Sequence, residues 1–205
     1  MNLVVVLVSN RPIDPDAYGC ITRLRSPIVA QRDCADIALG RNLALSGVCD
    51  LARVNKFDCA LLVDDDMVFT VDDVKLLTEH AMASGVATSA CYVGASGEHL
   101  MAAPWEGRWI TGLGLVAIPM PLLLEVHTKA PHFTNKMLPG RDIAAFCSSG
   151  IIDGVWYSED FQLCMRLGGV DLLPEVCVGH IKKRILKPTT EQVQDFLDTL
   201  LKVEP

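Results

Sequence analysis

No two cysteines in this chain are spaced C-x-x-C, and no apolar run approaches the ~20 residues a membrane-spanning helix needs. Positive charge is in short supply: 18 Lys and Arg stand against 25 Asp and Glu, a formal net charge of -7 with a pI near 5.1. That balance argues against binding nucleic acid mainly through a basic surface, while leaving room for a local basic groove. Internal repeats, low-complexity tracts and interdomain linkers are missing too. The 205 residues, half of them apolar, therefore read as one domain with ample core.

Eight cysteines are present, at positions 20, 34, 49, 59, 91, 147, 164 and 177, mostly inside apolar segments. That is the pattern of buried, reduced thiols rather than a disulfide framework or zinc site, and it points to a reducing, cytoplasmic compartment. Leu3 to Val8 lacks the basic flank and cleavage site of a signal peptide and runs into Ser9-Asn10-Arg11-Pro12. It reads as a first buried strand.

The chain is organised around Ala60-Leu61-Leu62-Val63-Asp64-Asp65-Asp66-Met67-Val68-Phe69. An apolar run without polar alternation is a strand buried on both faces, and this one runs straight into three carboxylates. If the backbone stays extended, Asp64 and Asp66 share a face and Asp65 points away. Like charges so placed call for a cation, and a hard divalent ion with oxygen ligands, Mg²⁺ or Mn²⁺, suits them.

Around this strand, helices and strands alternate, which predicts a single α/β domain with a mostly parallel, Rossmann-like sheet flanked by helices. Ser9 to Pro15 forms a loop at the carboxyl end of the first strand, where open α/β sheets bind ligands, so Ser9, Asn10 and Arg11 are candidates for contacting a nucleotide or for a plain turn. Residues 28–53 suit one long helix or two, interrupted near Gly40 or Gly47, with Arg41 and Asn42 inside. A helix is expected from Val71 to Ser84, stopped by Gly85, and strands at 86–93, 112–119 and 172–178. Residues 129–154 read as a mobile loop region. A basic tail, Lys182, Lys183, Arg184 and Lys187, precedes a final amphipathic helix at 190–202.

Three groups sit where an apolar element begins or ends: Asp64/Asp66, Glu159/Asp160 and His180. Glu159 and Asp160 also fit a helix N-terminus, where the dipole favours acids. A neutral His180 imidazole suits Mn²⁺ when an acid pair lies nearby. Trp105, Trp109, Trp156 and Tyr157 flank glycine-rich or acidic loops, where aromatic faces serve sugar stacking or simple packing.

The ordered series Gly40-Arg41-Asn42, Leu62 to Met67 with its D-x-D, Gly112-Leu113-Gly114-Leu115-Val116, Ser158-Glu159-Asp160-Phe161 and Val178-Gly179-His180 resembles the GT-A glycosyltransferases, in particular the small, family-2-like, inverting kind. The resemblance covers most of the chain, to about His180. It implies a nucleotide-sugar donor such as a UDP-sugar, with donor contacts at Ser9, Asn10, Arg11, Arg41, Asn42, Asp64 and Asp65. It further implies a Mn²⁺ or Mg²⁺ ion on Asp64, Asp66 and His180, and Asp160, beside Glu159, as the catalytic carboxylate. Residues 1–95 would then hold the donor, and residues 96–205 the acceptor, with Trp105, Trp109, Gly112, Trp156 and Tyr157 as acceptor contacts. Saccharide, lipid-linked sugar, protein and modified DNA base all stay open as acceptors, as does a homo-oligomeric state. Gly40 stands where relatives of this kind have alanine, and the tail lacks a Q-x-x-R-W pattern, which argues against a processive synthase.

Two alternatives compete. Asp64 to Val68 also satisfies the nucleophile motif of haloacid-dehalogenase-like phosphatases, with Asp64 attacking phosphorus, although that family's later lysine and G-D-x-x-x-D signature are lacking. The other is a catalytically silent nucleotide-sugar-binding module. An EF-hand fails because Phe69 falls where glycine is needed, and the glycine pattern at 112–117 lies within a strand rather than at a strand-to-helix turn.

Overall fold

The computed structural model describes all residues except 33, 34, 95, 98, 137, 182–184, 187 and 202–205, and the side chains of 185, 186 and 199–201 are likewise not described. Cys34 and the basic residues Lys182, Lys183, Arg184 and Lys187 therefore lie outside the described residues. In chain order the elements are β1 (Leu3–Val8), α1 (Pro15–Arg23), β2 (Ile28–Gln31), α2 (Ile37–Ala52), β3 (Cys59–Asp64), β4 (Met67–Val68), α3 (Val71–Ser84) and β5 (Thr88–Cys91). There follow β6 (Ala102–Trp105), β7 (Arg108–Thr111), β8 (Leu115–Pro119), α4 (Met120–Lys129), β9 (His132–Asn135) and β10 (Leu138–Ala144). The last third holds β11 (Gly150–Ile152), β12 (Val155–Tyr157), α5 (Glu159–Arg166), β13 (Asp171–Cys177), β14 (Gly179–Ile181), β15 (Ile185–Leu186) and α6 (Thr190–Leu201).

Six strands form the central sheet in the order β13-β5-β8-β3-β1-β2, and β8 alone runs against the others. The chain is thus a mixed α/β, Rossmann-like domain, as the alternation of elements predicts. Period-two alternation divides the buried strands between two cores. Val4, Val6, Ala60, Leu62, Val116 and Ile118 face the core that α2, α4 and α5 cover, while Val5, Leu7, Leu61, Val63, Leu115 and Ala117 face the one closed by α1 and α3. Burying each of the valine, leucine and isoleucine side chains is worth about 1.5–3 kcal/mol, which commits the sheet to this register. Among the described residues no helix is long and apolar enough to cross a membrane.

Helix ends follow local chemistry. The α3 helix opens with a capping box between Thr70 and Asp73 and closes on Gly85 at φ 72, a left-handed position that suits a residue without Cβ. In α2, Asp36 caps the N-terminus by accepting from Leu39 N–H, and the helix continues unbroken through Gly40 and Gly47. The long-helix reading of 28–53 therefore starts too early, because Ile28–Gln31 pairs with β1 as an edge strand. The α1 helix had no place in the sequence reading, although Asp14 as cap and Pro15 in the first turn form a recognised start signal. Residues 129–154 are largely hairpin rather than loop, with β9 pairing β10 and β11 pairing β12. The second hairpin turns at Asp153-Gly154, both at positive φ, the backbone that a two-residue turn demands.

Six of the seven described cysteines are buried. Burial pushes the thiols of Cys49, Cys59, Cys91 and Cys147 up to about 12, so they behave as small apolar groups rather than nucleophiles.

Gly112 is packed rather than open. A Cβ there would lie 2.1 Å from the Tyr92 hydroxyl, and one on Gly114 would lie 2.9 Å from Tyr92 Cζ. The two glycines make room for the phenol ring, whose oxygen accepts from Gly114 N–H at 3.1 Å. Gly112→Ala should therefore lower stability by about 1–3 kcal/mol in urea unfolding. An unchanged midpoint would mean that Tyr92 does not fill this space.

Candidate functional site

Parallel pairing aligns Val8 with Asp64, so β1 and β3 end together. Whatever follows each strand must share one sheet edge, and two clusters of charge form there.

The first is built on Arg41, a buried arginine in α2. Its Nη2 donates to Asp64 Oδ1 at 3.1 Å, and its Nη1 lies 3.3 Å from Glu159 Oε1 and bonds Asp160 Oδ1. The two acids from α5 thus meet the acid that ends β3 across a single guanidinium. Burial disfavours the charge on Arg41, but the carboxylates of Asp64, Asp160 and Glu159 outweigh it and hold the group firmly protonated. Asp160 is pushed up to about 6: burial and the charges of Asp64 and Glu159 raise it, while Arg41 pulls back only part of the shift.

The second cluster lies beyond β3. Arg11 Nη2 donates to Asp65 Oδ1 at 2.8 Å and to Asp66 Oδ2 at 2.5 Å, and its Nε reaches Asp65 Oδ1 at 3.2 Å. The Ser9 hydroxyl bonds Asp65 Oδ2. Antiparallel pairing of β14 with β4 sets His180 opposite Met67, and Ile181 N–H donates to Asp66 O at 2.8 Å. This places His180 Nε2 3.3 Å from Asp66 Oδ2. Arg11, Asp66 and Ile181, with residues 12–15, line an adjoining cleft of about 540 Å³.

The acid triplet is therefore divided differently from the sequence expectation. The strand ends at Asp64 and residues 65–66 form a turn, so alternation no longer governs them. Asp64 goes to Arg41, while Asp65 and Asp66 share Arg11. Among the described residues no three His, Cys, Asp or Glu side chains converge as a metal site. Asp66 and His180 do form a suitable pair of donors. His180 Nδ1 lies 2.9 Å from the Val93 carbonyl, which requires its proton there. Nε2 faces Asp66 Oδ2, where Arg11 Nη2 supplies the positive charge, and an imidazole nitrogen beside a carboxylate oxygen is a donor pair that a divalent ion accepts. Hard divalent ions are commonly held by one or two protein side chains, with substrate phosphates completing the shell, so the pair fits such an ion.

The remaining candidates fall outside these clusters. Asn10 is exposed, and Asn42 clasps the backbone of Cys147, donating to its carbonyl at 2.9 Å and accepting from its N–H at 2.7 Å. Trp109 packs on Phe196 of α6 at 5.4 Å between ring centroids. Trp105 shares a cleft of about 320 Å³ with Ile152, Gln162, Met165 and Arg166. Trp156 is 64% exposed on β12 opposite Ile151, and Tyr157 pairs with Gly150. Two participants escaped the sequence reading. Ser149 Oγ donates to Glu159 Oε2 at 3.3 Å, which no local pattern announces. Tyr92, buried so that its phenol stays protonated with Asp64 and Asp160 nearby, packs edge-on to His180 at 5.6 Å. Its signal was the Gly112-x-Gly114 pair, two missing side chains facing one large one.

No family model matches the sequence, and no curated relative does. Among solved structures, A197 from STIV overlays with a TM-score of 0.63 at 16% identity, covering 92% of this chain and 91% of that one. The likeness extends over nearly the full length and shows a shared fold. Two looser overlays are a 4-diphosphocytidyl-2C-methyl-D-erythritol synthase from Anaerococcus prevotii DSM 20548, with TM-score 0.45, 11% identity and coverage of 98% and 99%, and a CMP:2-keto-3-deoxy-manno-octonic acid synthetase complexed with CTP, with TM-score 0.35, 10% identity and coverage of 65% and 80%. Neither is close enough to bear on the site.

Arg41 is the counter-charge for its carboxylates, so Arg41→Met should cost about 3–5 kcal/mol at pH 8. Without the guanidinium the acids titrate higher than in the unfolded chain, so the native state takes up protons more readily and the loss shrinks toward pH 5. Urea unfolding at both pH values checks this; an equal loss at each would contradict the assignment.

Proposed function

We propose that the chain is a metal-dependent glycosyltransferase that moves a sugar from a nucleoside-diphosphate donor to an acceptor hydroxyl with inversion. The observation that carries the reading is the juxtaposition at one sheet edge of a half-buried carboxylate with a raised pKa, Asp160, and an Asp66–His180 pair suited to a cation. The resemblance in the order of motifs points the same way, and so does the position of the loops after β1 and β3, where α/β sheets take nucleotides.

In this reading Arg11 borders the donor cleft from residues 1–95, with Ser9 and Asp65 buried behind it, and Asp66 and His180 would hold Mn²⁺ or Mg²⁺. When bound, that ion supplies positive charge against the departing diphosphate. Asp160 accepts the proton of the attacking hydroxyl at a carboxylate oxygen, and its value of about 6 leaves it ionised yet basic at neutral pH. Arg41 fixes its orientation, and Glu159, held by Ser149, completes the charge balance. The acceptor enters over residues 96–205, where exposed Trp156 and half-buried Tyr157 lead directly into Glu159-Asp160. The phosphatase alternative fits less well, because the later lysine and G-D-x-x-x-D signature that such a nucleophile works with are lacking from the sequence.

Screening sugar nucleotides with Mn²⁺ by thermal shift should reveal a stabilising donor, and that donor should release its nucleoside diphosphate in a Mn²⁺-dependent assay. Release of phosphate from a generic phosphomonoester would favour the phosphatase instead, and binding without either activity would leave a silent module. Asp160→Asn should lower transfer by about 10²–10⁴-fold with donor and Mn²⁺ binding nearly intact, and loss of donor binding in calorimetry would refute its role. For the wild type, log kcat/KM should rise with unit slope below pH 6 and level off above it, because the base must be deprotonated.

A further inference from the structure

Arg11 stands where a bound cation would have to act. Its Nη2 lies 2.5 Å from Asp66 Oδ2, the same oxygen that faces His180 Nε2 at 3.3 Å. The partners differ in mobility: the Asp65 and Asp66 side chains are 8% and 7% exposed, while that of Arg11 is 51% exposed and borders the open cleft. The buried carboxylates need a counter-charge, so the half-exposed guanidinium leaves at small cost only as another cation takes its place. Asp65 and Asp66 do not depend on Arg11 for their positions. The Ser9 hydroxyl also bonds Asp65, Asp14 N–H donates to the Asp65 carbonyl at 3.1 Å, and Ile181 N–H to that of Asp66 at 2.8 Å.

We infer that Arg11 is a displaceable internal counter-ion: a divalent cation taking up Asp66 and His180 expels the guanidinium into the cleft, where it binds the diphosphate of the donor. This rests on the glycosyltransferase reading for the identity of the ligand, though the exchange itself is a property of the charges. A divalent ion and a guanidinium drawn to the same Asp66 oxygen repel each other, so metal and Arg11 compete there. Once released, the planar fork of Arg11 matches phosphate geometry. Metal would therefore bind first and create the anion site, and without metal the carboxylates keep Arg11 away from the nucleotide.

The test is calorimetry of MnCl₂ alone, and of UDP and GDP at saturating MnCl₂, on the wild type, Arg11→Gln and Arg11→Lys, with circular dichroism confirming that each variant is folded. Arg11→Gln removes the competitor, so its affinity for Mn²⁺ should rise by about tenfold or more, since one unit charge a few ångströms away is worth at least that near a protein surface. Its affinity for the nucleoside diphosphate at saturating Mn²⁺ should fall by about tenfold, as expected for one lost charge-assisted contact. Arg11→Lys, which keeps the charge, should stay nearer the wild type in both. Equal or weaker Mn²⁺ binding by Arg11→Gln overturns the exchange while leaving the donor reading standing. Absence of Mn²⁺ binding in all three proteins, with or without nucleotide, overturns both.

Discussion

Five carboxylates at one sheet edge, held by two arginines, are the constraint on which the rest of this structure depends. Asp64, Glu159 and Asp160 surround Arg41, and Asp65 and Asp66 surround Arg11. Such a concentration of negative charge resists folding unless it is neutralised locally, and the two guanidiniums come from elements far away in sequence, α2 and the loop after β1. The strand register, the position of α5 and the pairing of β14 with β4 can be understood as what brings those partners within reach. The arginines differ in kind: Arg41 is buried and fixed, whereas Arg11 is half exposed. One edge of the sheet thus carries both a permanent and an exchangeable counter-charge.

What the sequence makes legible follows from how local the cause is. The strands β1 and β3 are announced by uninterrupted aliphatic runs, and α3 by its capping box and terminal Gly85. The sheet with one antiparallel member has no local signature, because β8 owes its direction to the chain between it and β5. Residue 28 was misread because a four-residue edge strand cannot be told from helix by periodicity when a true helix follows nine residues later. Hairpins in 129–154 were read as loop because their short strands are half exposed and carry glycine and proline.

At the site, the sequence pointed to the acids but not to their partition. Treating 64–66 as extended joined Asp64 to Asp66, whereas the turn after Asp64 joins Asp65 to Asp66. Arg41 was a candidate for the donor, and its three carboxylate contacts span 23 to 119 residues of chain, a distance over which spacing says nothing. Gly112 leaves room for Tyr92, a packing role whose partner no local pattern announces. Buried thiols were the easier inference, since burial alone accounts for their inertness.

The proposed function rests on the arrangement of charge at this edge rather than on any single residue. The decisive measurement is a crystal structure of the protein with MnCl₂ and a nucleoside diphosphate. The account predicts metal density between Asp66 and His180 Nε2, with the diphosphate in the cleft beside the loop after β1 and Asp160 on the open side of the same edge. Metal bound elsewhere, with Asp66 still paired to Arg11 and the nucleotide away from this edge, would contradict it.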